Sequence, residues 1–353
     1  MTVLSLFDGI SVGRLALERA GIKVDKYYAS EIDPYAINIT MKNYPDTIQL
    51  GDIRNVKGSD LPKIDLLIGG FCCQSFSVAG KQLNFEDPRG KLFFEYVRLL
   101  KEVKPTYFLA ENVKMKQEYQ DVISEYLGVK PILIDSARVS AQRRHRLYWH
   151  NIPNITQPKD KGIMLKDIVL ENTGIGADNH GQRTMIWNEL EKYIVPFDTT
   201  LKIMEKEVEK GKIGYFRQDS QANRVYSIHG KAVTLCGSSG GGAARMGQYL
   251  FGCITPERIN KSQNGQRFSE GDKFYTLTTV DRHGILISGY IRKLTPLECE
   301  RLQTLQENFT KLGADGKQIS DSQRYRCLGN SWTCDVISHI FSFMDRSKLC
   351  NHI

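Results

Sequence analysis

Across residues 2 to 152 the chain alternates short, apolar, largely β-branched runs with segments of helical periodicity, and few folds accept that rhythm. The runs are TVLSLF, VDKYYASE, TIQLGDI, IDLLIGG, TYFLAENV, PILIDSARV and RLYWHNI. Helical patterns lie between them at GRLALERAG, DPYAINITMKNY, FFEYVRLLKEVK and EYQDVISEYLG. Parallel strands need a crossover of about this length, and a parallel sheet needs cover on both faces. The pattern predicts an α/β fold, a doubly wound and mostly parallel sheet of Rossmann-like type.

After about Pro153 the rhythm stops. Helices are expected around Asp167 and over residues 187–194, followed by polar, Gly-rich sequence with short β runs at RVYSI, AVTLCG and FYTLTTV. A faint echo relates Arg224-Val225-Tyr226-Ser227 to Arg267-Phe268-Ser269; it fits two similar hairpins or chance. Helical periodicity returns at TPLECERLQTLQ, and LGNSWTCDVISHIFSFMDRS reads as a last amphipathic helix that packs back on the first part. The expected division is one domain from residues 1–155 with 305–353, and a smaller, mainly β domain with its hinge over 156–304.

Composition narrows the class. At 353 residues, 41% hydrophobic and 25% charged, the chain can bury a full core and offers no apolar run of membrane-spanning length. The N-terminus lacks the pattern of a secretion signal, so a cytoplasmic location is expected. Eight cysteines include no CxxC pair, which speaks against a zinc site or a disulfide scaffold, and no metal is expected. The net charge of +8 suits a polyanionic partner without deciding for one.

Candidate chemistry gathers where strands end. The first strand runs into Phe7-Asp8-Gly9-Ile10-Ser11, whose small residues let a ligand approach the backbone and a helix N-terminus. Glu31 ends the next strand, where a carboxylate can accept from a ribose, and Asp52 after the third could meet an adenine amino group. Both carboxylates suit helix N-caps equally well. The fourth strand ends in LIGGFCCQSFS, placing adjacent Cys72 and Cys73 at a strand exit rather than inside an element.

The blocks FDGIS, ASEID, GDI, CQSFSVAGKQ with EDPRG, AENV, QRRHR, RKLTPLECERLQ and LGNSW follow one another in an order and spacing similar to the DNA cytosine-5 methyltransferase family. They cover residues 3 to 153 and 290 to 340, and the match looks like the compact bacterial or phage type, with a likeness to the animal de novo branch in its catalytic half. The resemblance implies a methyltransferase that flips a cytosine out of a specific short duplex sequence, with S-adenosylmethionine as cofactor and the 156–304 region as target-recognition domain. It also implies a monomer on double-stranded DNA, with no membrane partner, and admits a cognate restriction endonuclease.

By the same resemblance Cys73 is the nucleophile, because a thiolate can add to cytosine C6 and later leave. Glu111 would meet cytosine N3 and N4, Arg146 its O2, and Arg144 would support the base or a phosphate. Gln74, Ser77 and Arg89 would contact DNA from a closing loop. Phe7, Asp8, Gly9, Ser11, Glu31, Ile32, Asp52, Ile53, Asn330 and Ser331 would hold the cofactor.

One departure stands out: the family has proline immediately before the nucleophile, and this chain has Cys72 there and Phe71 before it. Proline fixes φ and removes a donor, so its loss could change efficiency or donor preference. Two other readings follow: a DNA-binding homologue with impaired turnover or an altered donor, and a tRNA cytosine-5 methyltransferase.

Overall fold

The computed structural model describes residues 1–71, 91–170, 294–345 and 347, and within the middle region 202–208, 212–215, 224–227, 231–232, 234, 248–251, 253–254, 268–269 and 290–292. The first part builds strands β1 (Thr2–Leu6), β2 (Lys26–Ser30), β3 (Ile48–Gln49), β4 (Leu66–Gly70), β5 (Tyr107–Val113), β6 (Ile132–Asp135) and β7 (His145–His150). Between them run helices α1 (Val12–Arg19), α2 (Pro34–Asn43), α3 (Leu92–Val103) and α4 (Gln117–Leu127). The later helices are α5 (Pro296–Leu302), α6 (Asp321–Asn330) and α7 (Cys334–Phe341).

The seven strands form one sheet in the order β3-β2-β1-β4-β5-β7-β6. All neighbours from β3 to β5 pair in parallel, and β7 alone runs antiparallel, between β5 and β6. Side chains alternate across a strand, and the burial follows suit. Val3, Leu66, Ile68, Tyr107 and Leu109 face a cluster built with α1, α2, α5, α6 and α7. Leu4, Leu6, Leu67, Phe108 and Ala110 face the other cluster, built with α3 and α4. Covered on both sides, β1, β4 and β5 carry near-continuous apolar runs, as the sequence predicts.

Local chemistry sets the helix starts. Asp33 accepts from the Tyr35 amide at 3.0 Å with Pro34 at the first helical position of α2. Thr295 and Glu298 form a capping box at α5, and Glu298 Oε1 also accepts from the Leu170 amide at 3.0 Å. That bond ties together the two ends of the middle region. Leu165, Val169, Leu294, Cys299 and Leu302 all enter the buried cluster of the main sheet.

The C-terminal segment differs from expectation. LGNSWTCDVISHIFSFMDRS is two helices rather than one: LGN closes α6 and the last helix starts at Cys334. Tertiary hydrogen bonds make the break, because Gln303 donates to Leu328 O at 2.7 Å and Arg144 to Ser331 O at 2.9 Å, taking up carbonyls that a continuing helix would need. β3 spans two residues of TIQLGDI, and around Asp167 there is a single 3₁₀ turn, Leu165–Asp167. The helix expected over 187–194 and most of the second copy of the echo lie outside the described residues.

The middle region holds a five-stranded sheet, β14-β11-β10-β9-β8 (β8, Lys202–Val208; β9, Lys212–Tyr215; β10, Arg224–Ser227; β11, Gln248–Phe251; β14, Tyr290–Arg292), and the two-stranded pair β12 (Cys253–Ile254) with β13 (Phe268–Ser269). Its firmest attachment runs beside the QRRHR segment. Ala232 pairs with Gln142, donating to Ala141 O at 2.7 Å and accepting from the Arg143 amide at 3.0 Å. The Lys231 ammonium donates to the carbonyls of Ala137, Ser140 and Ile163. Among the described residues no helix is long and apolar enough to cross a membrane.

Candidate active site

The chain reverses direction of travel across the sheet between β1 and β4, so a crevice opens beyond the carboxyl ends of those strands. On the β1 side the turn is built from left-handed backbone: Phe7, Gly9 and Ser11 have φ of 55°, 62° and 56°. A Cβ on Gly9 would meet nothing within 4 Å, so the turn faces open space. Asp8 is held from beneath by Ser11 Oγ and by Tyr27 Oη at 2.7 Å. Burial raises its carboxyl above the usual range, while hydrogen bonds from Ser11, Ser5 and Tyr27 work the other way. Ser11 is fully buried and also takes the Thr40 hydroxyl at 3.1 Å, so it shapes the turn from inside.

Glu31 stands at the end of β2 and is not a helix cap. Its Oε2 accepts the Gly9 amide at 2.8 Å, and its Oε1 accepts the amides of Ile32 and Asp33 at 2.8 and 2.9 Å. A carboxylate offers about four acceptor positions, so room is left for one hydroxyl of a ligand. Beside it Ile32 is 70% exposed, an apolar surface with no protein cover. Asp52 does cap, accepting the Arg54 amide at 3.0 Å, and the Arg54 guanidinium beside it holds its carboxyl below the usual range. Ile53 is buried in the core, Asn330 is exposed at the end of α6, and buried Ser331 donates to Leu328 O at 2.9 Å. Glu31, Ile32 and the Gly9 turn thus make a shelf with a polar edge and an apolar face, fit for a nucleoside.

On the β4 side, β5 lies in register with β4 so that Glu111 is opposite Gly70. β7 runs the other way, which brings its first residues to the same end of the sheet. Arg146 is paired with Val113, two residues beyond Glu111 and on the same face. The result is an ion pair, Arg146 Nε to Glu111 Oε1 at 2.9 Å, with both side chains nearly buried at 12% and 10% exposure. The other oxygen, Oε2, accepts the Trp332 indole N–H at 3.0 Å. A Cβ on Gly70 would stand 2.8 Å from that oxygen and 3.0 Å from the indole nitrogen, so a side chain there would displace the carboxylate from the indole.

The strand exit beyond Gly70 is anchored. Phe71 is buried, with ring centroids 4.9 Å from Phe93, 6.3 Å from Tyr96 and 6.5 Å from Trp149, and its carbonyl accepts from Asn112 Nδ2 at 3.2 Å. Cys72, Cys73, Gln74, Ser77 and Arg89 lie outside the described residues.

Of the residues expected to do chemistry, the structure brings Glu111 and Arg146 together, and Arg144 lies two residues before Arg146, just ahead of the same strand. The buried Arg144 guanidinium donates to the carbonyls of Gly329 and Ser331 at 3.0 and 2.9 Å, tying β7 to the end of α6. Trp332 was missed; the signal lay in the SW pair of LGNSW, a lone indole donor beside the expected cofactor contacts. Among the described residues no cluster of three or more His, Cys, Asp or Glu could hold a metal ion.

A family model described as C-5 cytosine-specific DNA methylase matches residues 1–346. The orphan methyltransferase M.SPRI of Bacillus phage SPR is 31% identical, covering 97% of this chain and 96% of the relative. The type II methyltransferase M.HhaI of Haemophilus parahaemolyticus is 28% identical, covering 96% of this chain and 92% of the relative. Among solved structures the Entamoeba histolytica methyltransferase EhMeth aligns over 97% of both chains with a TM-score of 0.64 at 18% identity, a likeness of fold. With its family model matched over nearly the whole length, the chain belongs to the C-5 cytosine-specific DNA methylases and is an enzyme of that family.

Proposed function

We propose that the protein transfers a methyl group from S-adenosylmethionine to C5 of a cytosine flipped out of a specific short duplex sequence, through a covalent bond between Cys73 and C6. The observation that carries the reading is the Glu111–Arg146 pair, 2.9 Å apart at the sheet end from which Gly70 and Phe71 lead into the Cys73 segment. Support for the cofactor comes from the Glu31 shelf, where Glu31 would take a ribose hydroxyl and Ile32 with Phe7 would flank the purine. When bound there, S-adenosylmethionine supplies an electrophilic methyl group.

The chain's own residues then have defined tasks. The Cys73 thiolate adds to C6 and pushes an electron pair toward C5; loss of the C5 proton after transfer returns the pair and expels the thiolate. Glu111 shares a proton with N3 and accepts from N4, offsetting the charge that develops as sulfur adds. Arg146 pairs with Glu111 and holds it at the base, while Arg144 acts at one remove by fixing the Gly329–Ser331 carbonyls. In this proposal residues 1–170 with 294–353 form the catalytic unit, since Leu165, Val169, Leu294 and Leu302 enter its core rather than lying in a 156–304 unit, and the residues between form the recognition unit and hinge.

Incubating the protein with S-adenosylmethionine and a random plasmid library, followed by base-resolution mapping of 5-methylcytosine, tests activity and target site together. Methylation at one short sequence is expected. Cys73→Ser should lose both methylation and covalent trapping on 5-fluorocytosine DNA. A library left unmodified, with tRNA labelled instead, would sink the proposal.

A further inference from the structure

We propose, resting on the reading above, that Trp332 is a positioning residue for Glu111: its indole N–H fixes the plane of the carboxylate that meets the base. A carboxylate at the end of a two-carbon stem rotates unless both oxygens are held. Arg146 Nε stands 2.9 Å from one oxygen, and the Trp332 indole donates to the other at 3.0 Å.

The indole is itself clamped. Its Cζ3 lies 3.3 Å from where a Cβ on Gly13 would stand, so the ring rests against the start of α1, directly after the cofactor turn. Its backbone follows Ser331, whose carbonyl takes Arg144 Nη2 at 2.9 Å. Gly70 makes the room, since a Cβ there would stand 3.0 Å from Nε1 and 2.8 Å from the carboxylate oxygen it meets. A tryptophan kept only as core filler needs neither its N–H directed at a near-buried carboxylate nor a glycine opposite that N–H.

Arg146 and Tyr148 of β7 stand around the carboxylate, with Arg144 behind them; β4 contributes uncharged Gly70, and Trp332 is the neutral donor. Deleting that donor frees one carboxylate oxygen, so the carboxylate plane is no longer fixed against the base.

The test compares wild type with Trp332→Phe, which keeps a ring, and with site-specific 3-benzothienylalanine at 332, which keeps the indole outline without the N–H. Single-turnover adduct formation on 5-fluorocytosine DNA should slow by about tenfold in both, with KM for DNA and for S-adenosylmethionine changed by less than about twofold. The thermal midpoint of the benzothienyl protein should stay within about 2 °C of wild type. Adduct formation at the wild-type rate, or a loss confined to KM, would overturn the role of Trp332. A wild type that forms no adduct would overturn the methyltransferase mechanism itself, a distinct result. If Trp332→Phe fails to fold, the benzothienyl protein decides.

Discussion

Glu111 shows how much a single residue depends on its neighbours. It is 8% exposed and carries a charge that one guanidinium and one indole N–H compensate. Removing one partner of a nearly buried pair leaves the other unsolvated. Arg146→Ala should therefore cost roughly 3 kcal/mol of stability, seen as a lower urea midpoint at unchanged slope. Methyl transfer should fall more than the unfolding can explain, because the fully folded variant still lacks the group that pairs with Glu111. Full activity at a reduced midpoint would limit Arg146 to a structural part. Phe71, two residues before Cys73, is likewise explained by neighbours: Phe93, Tyr96 and Trp149 make a slot for its ring.

At the scale of elements, the turn from β1 to α1 couples the sheet to the cofactor shelf through Asp8. Burial raises the Asp8 carboxyl above the ordinary range, so its charged form is disfavoured in the folded state. The contribution to stability is then fully present below the ordinary aspartate pKa and is lost as pH rises through the higher folded value. Asp8→Asn removes this loss. Urea unfolding at pH 4 and pH 7 should show the variant's stability changing less favourably for acid than that of wild type, and identical pH slopes would contradict the assignment. The α6–α7 break makes a related point. Apolar spacing alone supports one helix through Trp332, yet Gln303 and Arg144 capture the carbonyls there and aim the indole at Glu111.

On the scale of the whole molecule, the two ends of the chain complete one core. Leu294, Leu302, Leu328, Val336, Ile337, Ile340 and Phe341 pack into the same cluster as Val3, Leu15, Ile68 and Leu109. A fragment of residues 1–170 should expose that apolar face and fail to unfold cooperatively on its own. Adding residues 294–353 in trans should restore a single cooperative transition followed by circular dichroism. A fragment that melts sharply without its complement would show that the C-terminal helices are accessory. The Glu298 bond to the Leu170 amide brings the cut ends together, while Tyr226 and Ala232 of the middle region leave the core in the complemented protein and lower its midpoint.

The alternation of apolar runs and helical periods determined the doubly wound sheet, because a parallel strand must bury both faces and each helix must present one apolar stripe. The register of FDGIS, ASEID, AENV and LGNSW likewise made the strand-end site legible, since ligands in such sheets meet the loops that follow the strands. What local sequence does not carry is pairing at long range. That Glu111 shares Arg146 and Trp332 follows from the antiparallel turn of β7 and from the return of a segment 221 residues away. That Arg144 serves a backbone, Ser11 a buried hydroxyl network and Ile53 the core was decided by which side of each strand end faced the crevice, and only the packed molecule fixes that.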